Sequence, residues 1–259
     1  MAAGSSRLLK HLAFGASLVV GLSASTQAVA QAIVVRSTGP SAVEYPKGRR
    51  LPANATVVLK GGDIVTVLDK AGTRVLKGAG SFRLDNAVNR DRNAAALLAR
   101  SLSNPASVRA GAVRGPAEAS GDQVLPVSIW LADTGQGGNV CVPRGSDLYL
   151  WRADGKARSF TWLTESAGGE MVRMQWPPRT VGIAWPKTML APQEGRTYRI
   201  YDETAPDKAA EFRIVMLEPE VVPADAAALG TLLLDNGCRA QFDWLAQSLA
   251  EEESESPSP

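Results

Sequence analysis

Between Leu125 and Leu217, apolar and aromatic residues come in short runs separated by turn signals. The runs are "LPVSIWL", "GNVCV", "SDLYLWR", "ARSFTWL", "EMVRMQW", "TVGIAW", "RTYRIYD" and "AEFRIVML". Gly135 to Gly138, Asp154-Gly155, Gly168-Gly169, Pro177-Pro178 and Gly195 punctuate them. Strand candidates at this spacing form the pattern of a β-sandwich, here set at residues 124–219. Within "DLYLWR", Leu148, Leu150 and Arg152 alternate with Tyr149 and Trp151, and "FTW" places Phe160 and Trp162 on one side of its strand.

The distribution of aromatics divides the chain into two β units. All six tryptophans, Trp130, Trp151, Trp162, Trp176, Trp185 and Trp244, lie in its second half, whereas Tyr45 and Phe82 are the only aromatics from Gln31 to Asp85. Residues 31–86 carry "AIVVRS", "ATVVLKGGDIVTVLD" and "TRVLKGAGSFRL", rich in Val, Ile and Thr and punctuated by Gly and Asp. They predict a small antiparallel β unit of about four to six short strands, with a hairpin turn in "DKAGT" at Gly72. In residues 87–123, "RDRNAAALLARSL" has the composition of a helix capped by Asp91 and stopped at Asn104-Pro105. "SNPASVRAGAVRGPAEASGDQ" then reads as a linker.

After the sandwich the period changes. "PADAAALGTLLLDNG" runs from Pro223 to the stop residue Gly237, and "CRAQFDWLAQSLAEE" puts Cys238, Phe242, Leu245 and Leu249 on one helical face. Residues 220–250 therefore predict a helical hairpin packed on the sandwich. The acidic tail 251–259, "EEESESPSP", reads as disordered. The expected fold class is mainly β: a small antiparallel unit plus an immunoglobulin-like β-sandwich with a C-terminal helical hairpin.

The N-terminus predicts export. Arg7, Lys10 and His11 precede the apolar stretch "LAFGASLVVGL", and "AVAQA" offers small residues for cleavage after Ala30 or after Ala32. This makes 1–30 a signal peptide and the protein periplasmic; a retained N-terminal anchor is the alternative. No later apolar run reaches the roughly 20 residues of a membrane helix. Losing Arg7 and Lys10 brings the 28 basic residues level with the 26 acidic ones. The body then keeps only a small, dispersed positive surplus, which gives no nucleic-acid groove.

His11 is the single histidine of the chain, and it belongs to the leader. The mature protein thus lacks a Ser-His-Asp or Cys-His pair and any histidine-containing metal site. No catalytic residue, metal ligand or cofactor-binding residue is assigned, and the chain is expected not to be an enzyme. Carboxylate chemistry stays open through Glu165 and Glu170, which flank Gly168-Gly169, and through Asp202 and Glu203. Asp85, Asn89, Asp91 and Asn93 hint at calcium but lack the loop glycine and terminal glutamate of an EF-hand, so a turn into a capped helix is the expected reading. Gly61-Gly62, Gly78-Ala79-Gly80 and Gly135 to Gly138 fit neither a P-loop nor a dinucleotide fingerprint, and read as turns.

Two resemblances bear on kinship. "LAPQEGRTYRI", Leu190 to Ile200, resembles the stretch of fibronectin type III and related sandwiches in which a tyrosine bonds back to nearby backbone. "GIAWP" resembles the strand ending in a core tryptophan in exported sandwich domains. The two cysteines and the helical hairpin depart from fibronectin type III. "GRRLPANATVVLKGGDIVTVLDKAGTRVLKGAGSF" resembles the FecR-like β domain of exported bacterial proteins, with Gly61, Gly62, Asp63, Ile64 and Thr66 carrying the central motif and Gly72 and Thr73 the turn. The chain lacks the transmembrane and cytoplasmic parts of FecR-type regulators, so their signalling role does not carry over.

The resemblances imply an exported two-domain protein of Gram-negative bacteria working through partners. The leading expectation is an interaction or scaffold module contacting an envelope protein. The alternative is a module binding glycan or an envelope polymer through exposed aromatics, with Tyr149, Trp151 and Trp162 as the candidate surface; a carboxylate-dependent hydrolase stands third. Cys141 and Cys238, an even pair in an exported chain, predict a disulfide. Thiol labelling of the denatured, unreduced protein should find no reactive cysteine; labelling at both positions would contradict the bridge.

Overall fold

The computed structural model describes residues 32–255, apart from 53, 71, 85–97, 99–101, 103–127 and 156. The leader, the calcium-like segment Asp85 to Asn93, nearly all of the linker region and residues 256–259 lie outside the described residues.

The first unit has six strands: β1 (Ala32–Thr38), β2 (Arg50–Leu51), β3 (Thr56–Leu59), β4 (Ile64–Asp69), β5 (Gly72–Lys77) and β6 (Gly80–Arg83). They form a sheet ordered β2-β1-β4-β5 and a β3-β6 ribbon, antiparallel throughout. Ala32, Val34, Val65 and Val67 point into a core with Tyr45, Leu51, Val57, Leu59, Leu76 and Leu84. Ile33 and Leu68, opposite each other in the register, leave from the other face and are also fully buried. Simple alternation treats that face as solvent; here it is the floor of a second core.

The second unit is a sandwich of eight strands: β7 (Leu131–Asp133), β8 (Gly138–Pro143), β9 (Tyr149–Trp151), β10 (Ser159–Glu165), β11 (Met171–Trp176), β12 (Gly182–Ala184), β13 (Thr197–Asp202) and β14 (Ala205–Leu217). One sheet is ordered β11-β10-β13-β14-β8 and the other β12-β9-β7. Most neighbours are antiparallel, but β8 runs parallel to β14, and β7 parallel to β9. Between the sheets lie Leu148, Leu150, Leu163, Val172, Trp176, Trp185, Tyr198, Ile200, Phe212 and Ile214. Trp185 meets Tyr198 edge-on at 4.9 Å. The Tyr198 hydroxyl donates to the Ala191 carbonyl at 2.9 Å and accepts from the Gln193 N–H at 3.0 Å.

The helical hairpin consists of α1 (Ala226–Asp235) and α2 (Arg239–Glu255). Asp225 caps α1 by accepting from the Ala228 N–H at 2.8 Å. Gly237 sits in the turn with φ of 73°. α2 runs on through Glu255, so the first part of the expected disordered tail is helical. It continues the same turn periodicity, and no glycine or proline interrupts it before Pro257.

The hairpin packs on both units, whereas the sequence placed it on the sandwich alone. Leu229, Leu233, Phe242, Leu245 and Leu249 share one core with Ile33 and Leu68 of the first unit, with Cys141 and Leu217 of the sandwich, and with Leu98. Gly230 permits this approach: a Cβ there would lie 3.0 Å from Leu68 Cδ2 and 3.2 Å from Ile33 Cδ1 and from Phe242 Cε2. Two surface ion pairs, Lys47–Asp243 and Arg50–Asp235, add little beyond orientation.

On the sandwich side, Cys141 of β8 is bonded to Cys238, with Cα atoms 5.9 Å apart. Beside the bridge, buried Gln241 acts as a stand-in strand. Its Oε1 accepts from the Cys141 N–H at 2.7 Å, and its Nε2 donates to the carbonyls of Cys141 at 2.8 Å and Ile129 at 2.6 Å. Asn139 Nδ2 donates to the Asn236 carbonyl at 2.7 Å. β8 ends its sheet, and Gln241 satisfies backbone groups that α2 would otherwise bury without partners.

The glycine-rich motif of the first unit owes its role to Asp63, which is 1% exposed. One carboxylate oxygen accepts from the Ser41 N–H at 3.0 Å and the other from the Lys60 N–H at 2.6 Å. The β1–β2 connection is thereby tied to the turn entering β4. Gly39 must be glycine here, since a Cβ would run into the Asp63 carboxylate, and its φ is 99°. Burial pushes the Asp63 carboxyl up, but the hydrogen bonds from Ser41 and Lys60 and the Lys60 charge outweigh it and hold the pKa below the usual aspartate value.

A depressed carboxylate stabilises the fold above its unfolded pKa and ceases to do so as pH falls through the folded value. Asp63→Asn should therefore lower the melting temperature at neutral pH, and the gap from wild type should close on acidification below the aspartate range; a gap that persists unchanged would refute the assignment. Gln241→Leu strands the Cys141 N–H and two carbonyls, and should destabilise the bridged protein by about 1–3 kcal/mol or more in denaturant titrations. A neutral effect would rule out the strand-like role.

Candidate interaction surface

The outer face of the five-stranded sheet carries Trp162, one of the three aromatics selected from the sequence. Its β14–β8 side carries Val215, Leu217 and Cys141 and is covered by the hairpin. On its β10–β11–β13 side the inward residues are Thr161, Leu163, Val172, Met174, Trp176, Tyr198 and Ile200, all buried. Strand alternation sends Phe160, Trp162, Met171, Arg173, Gln175, Arg199 and Tyr201 outward, where they are partly or fully exposed.

The register sets Trp162 between Arg173 on β11 and Tyr201 on β13. The Arg173 guanidinium lies 3.8 Å over the Phe160 ring and grips Glu203 with two bonds of 3.0 and 2.7 Å. This pairing raises the pKa of Arg173 and lowers that of Glu203. The Tyr201 hydroxyl donates to Met171 Sδ at 3.2 Å, and Arg199 lies 5.3 Å over the Tyr201 ring. The result is a flat patch of aromatic rings and guanidinium groups held by cross-strand contacts.

Beside the patch, β11 is the outermost strand of the sheet among the described residues. The Phe160 carbonyl accepts from the Glu203 N–H at 2.9 Å, so Phe160 directs its backbone toward β13. Alternate residues Thr161 and Leu163 consequently bond to Met174 and Val172 of β11. Met171, Arg173 and Gln175 then aim their N–H and C=O groups away from the sheet. The side chains that would guard this edge, Arg173 and Met171, are drawn back over the face by Glu203 and Tyr201.

The three aromatic candidates do not converge. Trp162 stands on the face just described. Trp151 is 2% exposed and meets Trp244 of α2 edge-on at 5.3 Å, in a cluster with Leu131 that Tyr149 partly joins. Trp151 is therefore interior and is withdrawn from the binding surface; α2 covers the outer side of β9 as well as that of β8. Phe160, Tyr201 and Arg173 complete the patch instead. The alternation in "FTW" pointed to Phe160, but the contacts from β11 and β13 join residues roughly 10 to 40 positions apart, which local periodicity does not reveal.

Three of the four candidate carboxylates are engaged elsewhere. Glu165 bonds Arg196 at 2.8 Å, Glu203 bonds Arg173, and Asp202 accepts from the Thr204 N–H at 2.8 Å. The glycine clusters occupy turns and strand ends, with positive φ at Gly62, Gly78 and Gly138. Among the described residues no group of three or more His, Cys, Asp or Glu is placed to hold a metal ion. None of the described helices is long and apolar enough to cross a membrane. Comparison with known proteins finds no family model that matches this chain and no curated protein similar to it.

Proposed function

We propose that the chain is an exported, non-enzymatic interaction protein that binds an envelope protein through the patch and open edge formed by β10, β11 and β13. The observation that carries this reading is the exposure of Trp162, Tyr201, Phe160 and Arg173 beside a strand edge that pairs with no other described strand, on a sheet whose other half is covered. Aromatic residues and arginine dominate the energetics of protein interfaces, and an open edge offers main-chain hydrogen bonds to an added strand. The leader supports export. Ala32 is buried and paired within β1, which supports cleavage after Ala30. The Tyr198 corner and Trp185 behind it support kinship of the second unit with immunoglobulin-like sandwiches, and the Gly-Asp-Ile-Val-Thr run supports a FecR-like first unit.

Glycan binding is the second reading, because Trp162 and Tyr201 are flat, adjacent rings of the kind that stack on sugars. The two readings separate on capture from envelope extracts with the mature protein. Wild type should retain a protein partner, and Trp162→Ala and Tyr201→Ala should each weaken its retention by about tenfold while leaving the melting temperature unchanged. Recovery of glycan without protein, or retention that ignores both substitutions, would overturn the proposal.

A further inference from the structure

Among the described residues the buried side chains fall into three principal cores, and the hairpin supplies half of the middle one. The first unit has its own core around Val34, Val57, Val65 and Val67, and the sandwich has its own around Leu150, Leu163, Trp185 and Ile214. The middle core joins Ile33 and Leu68 to Cys141 and Leu217 through Leu229, Leu233, Phe242 and Leu245. Among the described elements, every sizeable contact between the two β units passes through α1 and α2. Besides the main chain that leads from β14 into α1, the hairpin is attached covalently to the sandwich by the Cys141–Cys238 bridge, flanked by Gln241 and Asn139.

We infer that this bridge is a conformational latch acting at a distance: by fixing the hairpin to β8 it holds the first β unit against the sandwich. Without it the middle core loosens, and the first unit separates as a folded body. The physical reason is the division of the cores. The inward residues of β1 and β4 remain packed with Tyr45 and Leu51 when the hairpin leaves; what is uncovered is Ile33, Leu68 and half-buried Val35, together with the side of β5 that faces α2. The bridge also closes a long loop, its cysteines being 97 positions apart in sequence, so losing it releases a large part of the chain from constraint. The latch is independent of what binds the patch on β10, β11 and β13, because none of those strands touches the middle core.

Nitrogen-15 relaxation of the mature protein tests this directly. In the bridged protein, residues 32–84 and 128–217 should share one rotational correlation time. In the Cys141→Ala/Cys238→Ala variant, both units should keep dispersed resonances while the correlation time of residues 32–84 falls by about twofold, as befits a free unit of that size. A single shared correlation time in the variant would overturn the latch, and so would loss of dispersion confined to the first unit. If the double variant fails to fold at all, the same measurement on folded wild type whose Cys141–Cys238 bridge has been reduced decides. Separate tumbling of the first unit on reduction then supports the latch, and common tumbling overturns it.

Discussion

The structure depends on how the free edge of β8 is closed. A terminal strand that a helix covers must still satisfy its backbone groups, because water no longer reaches them. Gln241 meets this need with one amide that accepts from and donates to Cys141, at hydrogen-bond lengths ordinary for strand pairing. Its placement three residues after Cys238 puts bridge and amide on the same helical face. Covalent bond and hydrogen bonds therefore fix one orientation of α2 on the sheet, and the remaining hairpin contacts follow. α1 lies along β1 and β4, Trp244 reaches Trp151, and the middle core closes.

That geometry explains where simple alternation succeeds and fails. In β11 the exposed and buried residues alternate without exception, since one side of the strand meets the sandwich core and the other meets solvent. In β4, Val65 and Val67 alternate as expected, but Leu68 is also buried because α1 lies behind it. Trp151 departs for the same reason: both neighbouring faces of β9 are covered, one by the opposing sheet and one by α2. A local pattern records that a residue alternates, and only the tertiary partner decides which side is dry. The sandwich, the small antiparallel first unit, the hairpin and the cysteine pair were therefore legible, whereas the hairpin's position between the units was not.

The patch was legible to a similar degree. Trp162 and Phe160 stand out because they share a side of one short strand. Arg173 and Glu203 give no such signal, being separated by 30 residues and brought together only by the β11-β10-β13 order. Asp63 belongs to the same class. Its glycine neighbours mark a turn, but its tie to Ser41 spans 22 residues and appears only when β1 and β4 pair.

The covered and uncovered parts of the outer face differ in chemistry as well as in exposure. Beneath the hairpin the face is aliphatic and sulfur-bearing, with Val215, Leu217 and Cys141. Next comes a polar zone of Thr197, Arg199, Glu211 and Arg213, in which Arg199 sits opposite Glu211 and Thr197 opposite Arg213. Beyond it lie the rings of Trp162, Tyr201 and Phe160. Were the aromatic patch merely an overflow of the middle core, apolar residues would run continuously from β8 to β11. The polar zone interrupts them, so the hairpin gains nothing by extending over Trp162, and the rings stay out of the intramolecular core. A partner engaging β10 and β11 would bury a surface that the chain's own folding does not use, and the Arg173–Glu203 pair would already hold that surface in shape before contact.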